Sequence, residues 1–208
     1  MIVYGDKNGD TRGVSVPYDE LSNSARAMFF ASAGAFSAGE LLQALRVRRG
    51  ASSVSVCAEA GLRAMFFCGI LMLPLGRAVA PGAAIGGGVW LFALGAVIAW
   101  FGLLLRWWSF LALGKYFTVV VKTSDDQPVV DSGPYRVLRH PSYTGLLLAF
   151  AGAGLMLGNW VSTVGAVGPT LIALLYRLRI EERALTTTLG DRYREFAASR
   201  ARLIPYVW

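Results

Sequence analysis

Residues 140–177 read HPSYTGLLLAFAGAGLMLGNWVSTVGAVGPTLIALLYR, with no acidic or basic side chain between His140 and Arg177. A helix that crosses a bilayer needs roughly 20 mostly apolar residues. This run therefore holds two short crossings, expected at about 142–157 and 161–178, if the chain turns at Gly158-Asn159. Gly145, Gly152, Gly154, Gly158, Gly165 and Gly168 make the hairpin rich in small residues, which let helices in lipid approach closely. Pro169 predicts a kink in the second arm.

Outward from this hairpin the same composition continues. Of 208 residues, 55% are hydrophobic and only 16% charged, and mean hydropathy is +0.50. A second uncharged run, 78–105, lies between Arg77 and Arg106 and predicts a span at about 84–105. Arg106-Trp107-Trp108 follows it as a cation and aromatic belt of the kind found at membrane interfaces. Two further spans are expected at about 25–45 and 60–80, the first carrying Glu40 near its end, where snorkelling to the interface is the expected solution, and the second holding Pro74 and Gly76. The fold expected is an all-α integral membrane protein of about five transmembrane helices. It would have a C-terminal helical hairpin and a long cytoplasmic loop region.

Net charge is +7 with a pI near 9.8. In a soluble chain that balance would raise nucleic acid as a partner. Here no Lys/Arg patch interleaved with loop aromatics supports one, and basic residues instead mark cytoplasmic loops. Loop 46–63, loop 106–142 and the tail from Arg177 carry most of the arginines and fall on one side of a five-span chain. That side is expected to be cytoplasmic, with the N-terminus outside. Residues 1–20 are polar and show no cleavable signal pattern. The single histidine and the two cysteines, Cys57 and Cys68, make no metal-type spacing, so no metal is expected.

The chemistry is expected where the hairpin begins. In Gly133-Pro134-Tyr135-Arg136-Val137-Leu138-Arg139-His140-Pro141-Ser142-Tyr143-Thr144-Gly145, a turn leads into an abrupt helix start. Pro141 fits the first helical turn, where its missing N–H is not needed. The free N–H groups there form a positive pole. His140 and Tyr143 share a face at i, i+3. At the far end of the hairpin, Arg177 and Glu181 share a face at i, i+4. Leu185, Leu189, Tyr193 and Phe196 recur at helical spacing, with a stop and restart at Gly190-Asp191. An amphipathic helix lying on the membrane reads this way.

The ordered set Arg106-Trp107-Trp108-Ser109, Leu113-Gly114-Lys115-Tyr116-Phe117-Thr118, Ser132 to Gly145, Glu181-Glu182-Arg183-Ala184-Leu185, Leu189-Gly190-Asp191-Arg192-Tyr193 and Leu203-Ile204-Pro205 resembles the isoprenylcysteine carboxyl methyltransferase family. The wider group includes phospholipid N-methyltransferases. The resemblance covers about 106–205, and residues 1–80 add a polar segment and two spans without a recognised motif. Residues 81–208 would form the methyltransferase core.

The resemblance implies an S-adenosylmethionine-dependent methyltransferase in the membrane, with a lipophilic or lipidated acceptor entering from the bilayer. It implies that the cytoplasmic loop region binds the cofactor, that His140, Tyr143 and the turn Tyr135, Arg136 and Leu138 line the cofactor site, and that Arg177 and Glu181 lie where cofactor and acceptor meet. Where the family usually has histidine this chain has Gln127, which hydrogen-bonds but does not titrate near neutrality. Aromatic faces such as Tyr143 and Tyr193 suit a sulfonium. A carboxylate acceptor, which ordinarily titrates near pH ~4, is already ionised at neutral pH. It needs a cation to align it, which Arg177 supplies with its planar fork. An amine acceptor would instead need a base, for which Glu181 is the candidate. A phospholipid or other amine N-methyltransferase therefore remains open, as do a membrane sterol-type reductase and a non-catalytic scaffold.

Overall fold

The computed structural model describes residues 23–45, 56–114 and 129–205. Its described residues form six α-helices: α1 Asn23–Leu45, α2 Val56–Val79, α3 Gly88–Leu113, α4 Pro141–Met156, α5 Trp160–Leu189 and α6 Asp191–Ala198. Short 3-10 turns occupy Pro81–Ala83 and Gly133–Arg136. The only extended pairings among the described residues are the isolated bridges Ala84–Asn159 and Leu138–Ala201.

All five expected spans are present as helices, with two changes of length. Helix α3 continues to Leu113, so Arg106-Trp107-Trp108 lies inside the helix and not beyond its end. Helix α5 runs without a break through Arg177 and Glu181 to Leu189. By length and composition, α3 and α5 are the two described helices that can cross a membrane, and α4 is a shorter apolar helix. The polar segment 1–20, residues 46–55 of loop 46–63 and residues 115–128 of loop 106–142 lie outside the described residues.

The hairpin turns where its sequence predicts. Gly158 takes φ +60°, a backbone region that glycine enters without steric cost. Asn159 then caps α5, its Oδ1 accepting from Ser162 N at 2.9 Å. The same side chain donates from Nδ2 to the carbonyl of Ala80 at 2.8 Å, tying the turn to the end of α2.

The small residues of α4 are shared between two neighbours. A Cβ at Gly145 would lie 2.6 Å from the carbonyl oxygen of Gly102, and one at Gly152 would collide with Ala99 N, so α3 and α4 meet backbone to backbone. Gly154 faces Thr163 on α5 instead. The close approach expected of these small residues is thus used by α4 mostly against α3. Helix α2 packs along α5, with Gly69 against Thr170 and Gly76 against Ser162.

One buried cluster joins Tyr143, Leu146 and Phe150 of α4 to Ala166, Leu174 and Leu178 of α5 and to Leu203. Phe36 and Phe66 pack on it from α1 and α2. Outward, α3 presents Trp90, Val97, Phe101, Leu104 and Leu111, and α5 presents Val164 and Ile172, all exposed. A large exposed apolar surface of this kind suits lipid or a partner.

The C-terminal stripe is used differently from its expected role on a membrane surface. Leu189, Tyr193 and Phe196 are buried with Tyr135, and Leu185 and Ala112 pack against them. An amphipathic pattern fixes that one face is covered, and here the cover is the Gly133–Arg136 turn. Beyond α6, Leu203 is buried in the core and Ile204 is exposed, while Tyr206 to Trp208 lie outside the described residues.

Candidate active site

His140 is the N-cap of α4, and its ring lies parallel to that of Tyr143, with centroids 5.3 Å apart and planes 6° apart. The i, i+3 face read from the sequence is thus formed. Tyr143 Oη donates to Glu181 Oε2 at 2.5 Å and accepts from Arg177 Nε at 2.8 Å. The phenol therefore bridges the cation and the carboxylate that one helix face places a turn apart. Arg177, His140 and Tyr143 are all buried. The Arg177 guanidinium carbon also lies 6.0 Å from the Tyr143 ring centroid, at the edge of cation–π range.

The two adjacent carboxylates have different surroundings. Glu182 accepts from Arg139 Nη1 at 2.7 Å and from Arg202 Nε at 3.1 Å, and lies 3.4 Å from His140 Nε2. Burial pushes its pKa up, but the His140 hydrogen bond and the charges of Arg139, His140 and Arg202 outweigh that and hold it below the ordinary value. Glu181 has twice the side-chain exposure, 28% against 14%, and lies 3.8 Å from His140 Nδ1. Glu181 is the more open carboxylate, and Glu182 fastens the wall behind it.

That wall includes a strap at residues 200–203. Arg139 N donates to Ala201 O at 2.8 Å, His140 N to Arg202 O at 3.1 Å and Ala201 N to Val137 O at 3.2 Å. Thr144 Oγ1 donates to Leu203 O at 2.7 Å, and Arg200 Nε to Tyr135 O at 2.9 Å. The strap lies across the entry to α4 and holds the turn that sequence reading assigns to a cofactor.

Tyr193 supplies an unused hydrogen-bonding group among the described residues. Its side chain is buried, yet its Oη has no hydrogen-bond partner among the described residues. Burial raises its pKa, and the charges of Glu182 and Glu181 raise it further against the opposing effect of Arg139 and Arg202. The hydroxyl is therefore within electrostatic reach of the cluster. A buried phenol with no partner costs stability and suits a polar ligand. Tyr135 is also buried; burial first, then Glu181, raises its pKa.

The structure thus brings His140, Tyr143, Arg177 and Glu181 together, with Tyr135, Leu138 and Tyr193 buried around them. Arg136 is exposed, and Gln127 lies outside the described residues. Sequence reasoning missed Arg139, Arg200 and Arg202 in the ionic and backbone fastening of the strap, and it left open whether Glu181 or Glu182 is the functional carboxylate. The sequence signal was present: Arg139 beside the lone histidine, and two arginines just before Leu203-Ile204-Pro205.

A polar cluster of charged and aromatic side chains set in an apolar helical bundle defines the site and the class, an all-helical protein with long apolar helices. Comparison with known proteins narrows the class. The phospholipid methyltransferase family model matches residues 90–192. Protein-S-isoprenylcysteine O-methyltransferase A of Arabidopsis thaliana is 32% identical over 120 residues, 57% of this chain and 61% of that protein. The Xenopus laevis protein-S-isoprenylcysteine O-methyltransferase is 30% identical over 120 residues, 57% of this chain and 42% of its own length. The solved structure of a eukaryotic intramembrane Ras methyltransferase, an isoprenylcysteine carboxyl methyltransferase, superposes with a TM-score of 0.50 at 26% identity, covering 73% of this chain and 52% of that one. Over about half its length the chain is similar to isoprenylcysteine O-methyltransferases and to the phospholipid methyltransferase family model. The matches cover about three fifths or less of these relatives' lengths.

Proposed function

We propose that this chain is a membrane-embedded methyltransferase that uses S-adenosylmethionine to methylate a lipophilic carboxylate, of the isoprenylcysteine type, to its methyl ester. The observation that carries the reading is the Arg177–Tyr143–Glu181 relay beside His140, built from residues that the resemblance assigns to the site. The arrangement fits the donor. Tyr193 Oη offers a hydrogen bond with no partner in place among the described residues, and Glu181 offers an open carboxylate to an ammonium or sulfonium. When bound, the donor supplies an electrophilic methyl group.

Each protein group then has a definable task. The Arg177 guanidinium, whose Nε donates to Tyr143, is the cation placed to align an anionic acceptor. No proton need be removed from an ionised carboxylate, so positioning is the main contribution, and this supplies ~7–11 kcal/mol of a barrier in favourable cases. Tyr143 holds Arg177 and Glu181 in register, and its stacking with His140 fixes the ring plane. The strap at 200–203 and the Gly133–Arg136 turn exclude water from the cofactor side. Three cations, Arg139, Arg177 and Arg202, face two carboxylates, Glu181 and Glu182, across these contacts. The surplus favours an anionic acceptor over an ammonium.

In the same reading helices α1 to α5 are transmembrane. The N-terminus lies outside, and the site and C-terminal segment lie on the cytoplasmic face. Residues 81–208 form the catalytic core. The family model's own description, phospholipid methyltransferase, favours one second reading, an amine acceptor for which Glu181 serves as base. Calorimetric titration of the detergent-purified chain with S-adenosylhomocysteine tests the cofactor; absence of binding at millimolar ligand refutes the proposal. Labelled methyl transfer into prenylcysteine or phospholipid then separates the readings, because the ester is released by base and an N-methyl group is not.

A further inference from the structure

Glu40 and Arg106 form a second polar centre within the bundle. Arg106 is buried; its Nε donates to Glu40 Oε1 at 2.5 Å, and its Nη2 to Glu40 Oε2 at 2.8 Å. A bidentate fork of this kind fixes direction as well as distance. The remaining nitrogen, Nη1, donates at 2.9 Å to the carbonyl of Ser142, one residue before Tyr143. Below the guanidinium lies the Phe110 ring, 4.8 Å from its carbon. The approach of α1 is close: a Cβ on Gly39 would collide with Trp107 Nε1. Glu40 therefore does not snorkel, and Arg106 is not an interfacial anchor. A membrane setting makes an unpaired charge at this position costly, so the two side chains hold one another in place. Arg106 also bears on Tyr135, whose pKa its charge opposes from rising.

We propose that Glu40 and Arg106 are positioning residues for the active site, setting the first turn of α4 and hence Tyr143. Helix α1 then serves catalysis through one ion pair, from outside the catalytic core, and not only as an anchor. The inference rests on the methyltransferase reading for its kinetic arm, but its structural arm is independent. The Ser142 carbonyl also lies in the first turn of α4, where its helical partner is the amide of Leu146. Loosening Arg106 frees that turn.

The test uses the full chain in detergent with Glu40→Gln, Glu40→Asp and the exchanged pair Glu40→Arg with Arg106→Glu. In Glu40→Gln, amide exchange at residues 143–146 accelerates and turnover falls about tenfold, equivalent to ~1.4 kcal/mol. The KM for the methyl donor changes little, and Glu40→Asp restores most of the turnover. Unchanged exchange at 143–146 overturns the proposal whether or not the wild type transfers methyl groups. A wild type inactive on every acceptor tested instead counts against the methyltransferase reading. The exchanged pair keeps an ion pair but places a carboxylate, which only accepts, against the Ser142 carbonyl. If it recovers full turnover, the pair is a strut alone and the proposal fails.

Discussion

Replacing Tyr143 with phenylalanine removes one oxygen and keeps the ring that stacks on His140 at 5.3 Å. That oxygen makes two hydrogen bonds to charged partners, 2.8 Å from Arg177 Nε and 2.5 Å to Glu181 Oε2. Each such bond contributes ~1.5–3 kcal/mol, so the gross loss is about 3–6 kcal/mol. Much of it is recoverable, because Arg177 and Glu181 share a helix face and re-pair directly. Taking about half as recovered leaves ~1.5–3 kcal/mol in the alignment of Arg177, or about tenfold to a hundredfold in turnover. The assay is labelled methyl transfer to a prenylcysteine acceptor, with calorimetric binding of S-adenosylhomocysteine and thermal unfolding run on the same sample. The expected pattern is lost turnover with retained fold and much of the cofactor affinity. Wild-type turnover in Tyr143→Phe refutes the relay as a catalytic device, and equal loss of affinity and turnover moves Tyr143 into the cofactor wall alone.

Arg177→Ala is expected to abolish most turnover while S-adenosylhomocysteine still binds; unchanged turnover removes Arg177 from the mechanism. Tyr193→Phe should act with opposite signs, since it deletes an unsatisfied buried hydroxyl: melting temperature of the unliganded protein holds or rises, and cofactor affinity falls about threefold to tenfold, or ~0.5–1.5 kcal/mol. Glu182 has a folded pKa below its ordinary 4.5. Its stabilisation is therefore present above pH 4.5 and is lost as pH falls through the folded value. The melting difference between wild type and Glu182→Gln should accordingly be steady from neutrality to about pH 5 and narrow below it. Gly145→Ala places a methyl group 2.6 Å from the Gly102 carbonyl oxygen and should lower stability by ~1–3 kcal/mol, read as an earlier thermal transition.

Helix positions were legible because runs without charge leave few alternatives, and the hairpin turn was legible because Gly158-Asn159 combines a left-handed residue with a capping side chain. His140, Tyr143, Arg177 and Glu181 were legible as faces of helices with fixed periodicity. What sequence pattern does not encode is the partner across space. Glu40 reads as a costly carboxylate near a helix end, and only the packing of α1 on α3 shows Arg106 waiting for it. The stripe from Leu185 to Phe196 has the same amphipathic pattern whether it covers lipid or protein. The strap bridges residues about sixty positions apart, Leu138 and Ala201, through backbone groups that carry no sequence signature.

The unbroken run of α5 has a mechanical consequence. Thirty residues at 1.5 Å each make a rod about 45 Å long, against a hydrocarbon layer of roughly 30 Å. On the proposed membrane reading, its excess length stands clear of the oil as a post, with Arg177 and Glu181 on the section where post meets surface. The height at which an acceptor's head group meets the methyl donor is, on that reading, set by membrane thickness. A bilayer of longer acyl chains draws the post inward, so turnover on a buried acceptor becomes a gauge of the lipid in which the protein is reconstituted.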